Sequence, residues 1–128
     1  MIVVDASALI EWLLRSSAGL RAHLRFADES LHAPHLLDVE VAHVLKRLVR
    51  QGVASTLTAE SALKAFRDYQ IERYDHVTLL PRVWALRSNL SAYDAVYVAL
   101  AEVLEAPLVT ADSKLARAAG HNARIELL

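Results

Sequence analysis

Along the chain, short aliphatic runs alternate with longer stretches in which apolar residues recur every three or four positions. Met1 to Val4 is mostly β-branched and ends at Asp5, which predicts a strand, and Ala6 to Leu14 then carries its apolar residues at helical spacing. Gly19 to Asp28 predicts a helix with Leu20, Leu24 and Ala27 on its inward stripe, followed by a brief strand, Leu31 to Ala33, stopped by Pro34. His35 to Gln51 reads as a longer helix closed by Gly52 in the C-cap position. Thr58 is placed to cap a helix running to about Ile71, with Ala62, Leu63, Phe66 and Tyr69 inward. Val77 to Leu80, punctuated by Pro81, predicts a strand, and Val83 to Ser88 a short helix. Ser91 opens an almost wholly apolar helix to Leu104, which must be buried on most sides. After Pro107 the pattern predicts a strand at Leu108 to Thr110, a helix at Ser113 to Ala119 and a last strand at Ile125 to Leu127.

Strands of three or four residues alternating with helices imply a parallel sheet covered on both faces: an α/β fold, in the form of a three-layer α/β/α sandwich. The 128 residues suit one domain spanning 1–128, and 55% apolar residues exclude a disordered chain. The longest apolar run, the seven residues Ala95 to Ala101, is far short of the ~18 needed to cross a bilayer. The N-terminus has no basic leader, and Asp5 and Glu11 interrupt its apolar stretch, so a cytoplasmic protein with no membrane partner is expected. With no cysteine, disulfides, thiolate zinc sites and thiol nucleophiles are excluded together. Fourteen basic against fifteen acidic residues leave a formal charge of -1, so any polyanion must be met by a local patch. Three isolated glycines rule out a phosphate-cradling loop.

In an α/β sheet, functional groups collect beyond the carboxyl ends of the strands, and four acidic residues stand out there or on neighbouring apolar helices. Asp5 and Asp112 each follow a predicted strand and precede a helix; each has a plain alternative as a helix N-cap. Glu40 lies about 60° from Leu37 on the edge of the stripe of Leu37, Val41, Val44 and Leu48, where it serves either function or an ion pair with Arg47 or His43. Asp94 is the only charge between Leu90 and Ala101, and with Ser91 it also matches a capping box. Gathered about 5 Å apart, four carboxylates would repel by roughly 3 kcal/mol per pair at an effective dielectric near 20, which calls for protonation or a cation. Oxygen ligands without Cys or paired His favour Mg²⁺, with Mn²⁺ as its substitute, over zinc. Ser7 and Thr110 are candidates for a hydroxyl ligand or for orienting a water. Lys46, Arg47 and Arg50 form a basic face on the Glu40 helix, and Lys114 follows Asp112 closely; Lys114, Lys46 and Arg47 are the candidates for contact with a polyanion. Trp12, Trp84, Phe26 and Phe66 fall on apolar stripes and read as core or dimer contacts.

Ile2-Val-Val-Asp5-Ala-Ser7-Ala-Leu, Glu40-Val-Ala-His-Val-Leu, Tyr93-Asp94-Ala-Val-Tyr-Val-Ala-Leu-Ala and Leu108-Val-Thr110-Ala-Asp112-Ser-Lys-Leu together resemble the four acidic motifs of PIN-domain ribonucleases, specifically VapC-type toxins. Each motif alone is weak; four in this order are specific, and they cover essentially the whole chain. His43 departs from the pattern, standing where such toxins frequently have asparagine. The resemblance implies a Mg²⁺-dependent endoribonuclease, a homodimer, and a VapB antitoxin whose C-terminal segment enters the active-site groove. It carries the acidic site over to Asp5, Glu40, Asp94 and Asp112, with Asp5, Asp94 and Asp112 as metal ligands and Glu40 as a ligand or a base beside them. Cleavage would leave a 5′-phosphate and a 3′-hydroxyl. Two other classes stay open at this level: a receiver-like domain accepting a phosphoryl group on aspartate, and a catalytically silent scaffold. Receivers carry an adjacent acidic pair after the first strand, where this chain has Asp5 alone.

Overall fold

The computed structural model describes all residues from Met1 to Leu128. Its centre is the strand β1 (Ile2–Val4), whose three side chains are entirely shielded from solvent because sheet neighbours flank it and helices cover both its faces. Outward on one side lie β2 (Leu31–Pro34) and β3 (Ile71–Tyr74), and on the other β4 (Leu108–Thr110) and β5 (Ile125–Leu127). The strand order is β3-β2-β1-β4-β5 and every pairing is parallel, with Val3 beside both His32 and Leu108.

The chain builds outward from β1 through α1 (Ala6–Leu13), α2 (Gly19–Phe26), α3 (Leu36–Arg50) and α4 (Thr56–Asp68), which pack on one another. It then returns across the sheet through α5 (Leu80–Ala85) and α6 (Ala92–Leu104), and finishes with α7 (Ser113–Ala116) between β4 and β5. Right-handed crossovers put the outward and returning helices on opposite faces, so the expected three-layer sandwich forms. Because the winding reverses between β1 and β4, the carboxyl ends of these two strands diverge into a crevice. As expected from its apolar sequence, α6 is almost engulfed: Ala95 to Ala101 are all 5% exposed or less. No helix is long and apolar enough to cross a membrane.

Four local expectations are corrected. The strand predicted at Val77 to Leu80 is a 3₁₀ turn at Val77–Leu79 leading into α5, and the edge strand is instead Ile71–Tyr74. The Asp75 carboxylate accepts from the Val77 N–H at 2.7 Å and turns the chain, while Pro81 sits in the first turn of α5, where its missing N–H costs no helical hydrogen bond. Ser55, not Thr58, caps α4: its hydroxyl accepts from the Thr58 N–H, and the helix stops at Asp68 with Tyr69 extended. Ala62 and Phe66 point inward as expected, with Leu63 and Tyr69 packed on the core margin. In α2 the buried face is Gly19, Ala22 and Phe26, leaving Leu20 and Leu24 each 67% exposed, because Phe26 packs edge-on against Trp12 and so turns that face to the core. The final helix, predicted to Ala119, ends at Ala116.

The α1–α2 corner closes on Gly19, where a Cβ would lie 2.8 Å from the Glu11 carbonyl oxygen. Gly19→Ala is expected to lower stability by about 1–3 kcal/mol through this backbone overlap, read as a lower denaturant midpoint at unchanged slope.

Candidate active site

Four acidic side chains reach the crevice from four different elements. Asp5 follows β1, Glu40 sits in the second turn of α3, Asp94 in the first turn of α6, and Asp112 follows β4; all four line one cavity of about 440 Å³. Each local placement has its own backbone reason. Asp5 caps α1, with Oδ1 accepting from the Ala8 N–H at 2.9 Å, and Asp112 caps α7, with Oδ1 accepting from the Lys114 N–H at 2.8 Å. The Ser91 hydroxyl caps α6 by accepting from the Asp94 N–H at 3.1 Å. The N-cap readings for Asp5 and Asp112 are therefore right, and of the Ser91–Asp94 capping box only the Ser91 half forms, since the Asp94 carboxylate accepts no bond from the Ser91 N–H.

Asp5 is the buried centre, 7% exposed. The Ser7 hydroxyl donates to Oδ1 at 2.7 Å and the Thr110 hydroxyl donates to Oδ2 at 2.5 Å. In turn Ser7 Oγ accepts from the Ala111 N–H at 2.9 Å, and Thr110 Oγ1 accepts from the Asp112 N–H at 3.0 Å. This polar knot sews the end of β1 to the end of β4. It also revises the roles expected of the two hydroxyls: Thr110 is fully buried and away from the cavity wall, and both residues direct their single proton at Asp5.

Glu40 makes neither of the ion pairs weighed for it. No salt bridge involves it, His43 is exposed and does not line the cavity, and Glu40 Oε1 is buried without a hydrogen-bond partner. Across from it stands Tyr97 of α6, 1% exposed, whose hydroxyl is likewise buried without a partner of ordinary geometry. The two groups nevertheless interact, for Tyr97 is the one side chain that favours the ionised form of Glu40.

Burial pushes the Asp5 carboxyl above its usual range, outweighing the hydrogen bonds from Thr110, Ala8 and Ser7, with the charge of Asp94 adding to the rise. Glu40 is raised by burial first, then by Asp5 and Asp94. Asp94 is raised by burial and by Asp112. Tyr97 is held far above the ordinary phenol value by burial and the adjacent Glu40, so it stays protonated. None of the four carboxylates is salt-bridged. The site is a set of hard oxygen donors with an orphaned buried oxygen and no paired cation, which fits a hard divalent ion. As the side chains stand, however, no three acidic groups surround a single point closely enough to grip one ion.

The basic candidates separate. Arg47 lines the cavity, Lys46 lines a different groove against α4, and Lys114 is exposed outside the cavity wall. Glu11 and Ser16 complete the rim, with Ser16 donating to the Glu11 carboxylate. Sequence reading passed over Glu11 and Tyr97; for Tyr97 the available signal was a hydroxyl three residues after Asp94, on the same face of α6.

Comparison with known proteins identifies the family. The PIN domain family profile matches residues 2–121. Ribonuclease VapC9 of Mycobacterium tuberculosis is 47% identical over 115 residues, 90% of this chain and 88% of that protein. The chain belongs to the PIN-domain family, among the VapC ribonucleases. Ribonuclease VapC1 of M. tuberculosis shares 42% identity over 128 residues, 98% of this chain and 96% of its own. Among solved structures, VapBC2 from Rickettsia felis bound to a DNA fragment from its promoter superposes with a TM-score of 0.71 at 15% identity, covering 99% of this chain and 98% of that one. That likeness speaks for the fold. The family match sets a receiver-like domain aside.

Two outcomes follow from the electrostatics. Glu40 has a folded-state pKa above its ordinary 4.5, so its contribution favours folding below that value and is lost as pH rises through the raised one. Glu40→Gln is therefore expected to melt higher than the metal-free parent at pH 7, by roughly 1 kcal/mol of relieved repulsion, with the gain vanishing near pH 4. Thr110→Val, which strips a donor from a buried carboxylate, is expected to cost about 1–3 kcal/mol in chemical denaturation.

Proposed function

We propose that this protein is a divalent-metal-dependent endoribonuclease, the toxin of a VapBC-type pair, hydrolysing RNA phosphodiesters to 5′-phosphate and 3′-hydroxyl ends. The observation that supports it best is the convergence of Asp5, Glu40, Asp94 and Asp112 on one crevice with no cation paired to any of them. In this reading Asp5, Asp94 and Asp112 hold Mg²⁺, with Mn²⁺ as substitute, and Glu40 is a further ligand or a base beside them. When bound, the ion supplies Lewis acidity toward the phosphodiester and toward the attacking water.

The chain's own residues do the rest. Ser7 and Thr110 hold Asp5 in one orientation through both its oxygens. Such positioning lowers the reorganisation needed at the transition state. Glu40, lifted above the usual carboxylate range by burial, is a stronger base than an exposed carboxylate and is suited to accept a proton from water. Arg47, on the cavity wall, is the cation placed to meet an RNA phosphate. Lys46 and Lys114, away from that wall, serve at most a longer track of backbone.

The cavity continues past the carboxylates along Ile10, Leu14, Val44, Leu48 and Val53. An acidic end beside an apolar trough suits a VapB C-terminal segment that brings an Arg to the carboxylates and apolar side chains to the trough. The exposed Val77, Leu80 and Trp84, between 53% and 69% accessible, suit a homodimer contact, and sedimentation equilibrium tests that state.

The deciding experiment is cleavage of a structured RNA pool in Mg²⁺ or Mn²⁺, with chelator and Asp94→Asn controls and the product ends mapped. Metal-dependent cuts carrying 5′-phosphates, reduced at least about 100-fold in Asp94→Asn with its circular dichroism unchanged, are expected. Mn²⁺ should also raise the melting temperature of the wild type more than that of the variant, since an ion that binds only the folded state stabilises it. A wild type that neither cuts nor gains stability from Mn²⁺ would leave the catalytically silent scaffold as the reading.

A further inference from the structure

Tyr97 and Glu40 leave two polar atoms buried and unpartnered, and both belong to one cavity. In a native core nearly every such atom is satisfied, so an adjacent pair of exceptions calls for a cause. The phenol is not free to turn away: α6 is buried around it, and the Tyr97 ring is 1% exposed. Its helix also supplies Asp94 one turn earlier, so a single rigid face presents a carboxylate and a hydroxyl to the crevice. Glu40 comes from α3, on the opposite layer of the sandwich, and no side chain donates to its buried Oε1. Tyr97 is thus the buried neutral donor that shares the cavity with Glu40, its own hydroxyl also unpartnered.

We infer that Tyr97 is a positioning residue, whose hydroxyl orients the Glu40 carboxylate for the metal-loaded site by bridging α6 to α3. The inference rests on the metal-dependent reading of this site. A phenol suits the task because it donates a hydrogen bond without adding a positive charge that would compete with a divalent ion. The metal-free protein carries the pair incompletely engaged, as expected of a contact that is completed when the cation draws the carboxylates together.

The test is Tyr97→Phe, which removes one oxygen and keeps the packed ring. Because the lost hydroxyl has no satisfied partner in the metal-free protein, Tyr97→Phe is expected to melt at the same temperature as wild type or higher. Mn²⁺ affinity, titrated by calorimetry, should fall about tenfold or more, and kcat on RNA should fall with it while KM changes little. In a Glu40→Gln background the same substitution should change Mn²⁺ affinity hardly at all, since its effect passes through Glu40. Equal Mn²⁺ affinity in Tyr97→Phe and wild type would overturn the inference, as would an undiminished effect in the Glu40→Gln background. A clear drop in melting temperature would show instead that the hydroxyl supports the fold. Wild-type protein that binds no Mn²⁺ would refute the parent reading and this inference together, whereas failure confined to the variants refutes the inference alone.

Discussion

The rest of the site depends on one buried carboxylate. Asp5 lies at the end of the central strand, almost out of solvent, and an ionised group there is costly unless hydrogen bonds and opposite charge compensate it. The protein provides the hydrogen bonds from Ser7, Ala8 and Thr110, and in doing so ties β1, α1 and β4 to a single pair of oxygen atoms. It provides no basic side chain. Burial still raises Asp5, and Glu40 and Asp94 are raised in the same direction. The crevice is therefore under electrostatic tension, and the cost of holding it is carried by the apolar core.

That core is arranged to carry it. Both faces of β1 are sealed, by α6 on one side and by the outward helices on the other, and α6 itself is buried over seven consecutive residues. Asp5, Asp94 and Asp112 are anchored at helix starts and Glu40 within the second turn of α3, so their positions follow from regular backbone rather than from a flexible loop. Three arginines elsewhere are engaged away from the crevice: Arg25 with Glu29 and Glu126, Arg73 with Asp38, and Arg82 with Glu102. Arg47 alone lines the cavity from the basic side, and it leaves the carboxylates unpaired.

The errors of sequence reading have a common origin. Val77 to Leu80 is more β-branched and aliphatic than Ile71 to Tyr74, and by local pattern it is the better strand. Yet the edge position beside β2 is filled by Ile71–Tyr74, whose polar Glu72 and Arg73 are tolerable only because an edge strand faces solvent. In α2 the more apolar stripe was misleading for a related reason: Phe26 finds Trp12, and a contact across elements overrides the local count of leucines. The ion pairs weighed for Glu40 were legible as spacings, but spacing along α3 carries no information about Tyr97 on α6.

Sequence by itself determined the alternation of short strands and helices, the buried character of α6, and the four acidic positions, because periodicity and costly charges in apolar surroundings are local properties of the chain. It determined the capping of α1 and α7 by Asp5 and Asp112 for the same reason. Tertiary structure alone decided that these caps share a crevice with Glu40 and Asp94, that Ser7 and Thr110 turn their protons to Asp5, and that Arg47 rather than Lys46 or Lys114 reaches the cavity. It alone set Tyr97 against Glu40. Apart from Ser7 with Asp5, those relations join residues tens of positions apart, and they exist only once the reversal between β1 and β4 opens the sheet at one place and packing selects which faces of α3 and α6 meet there.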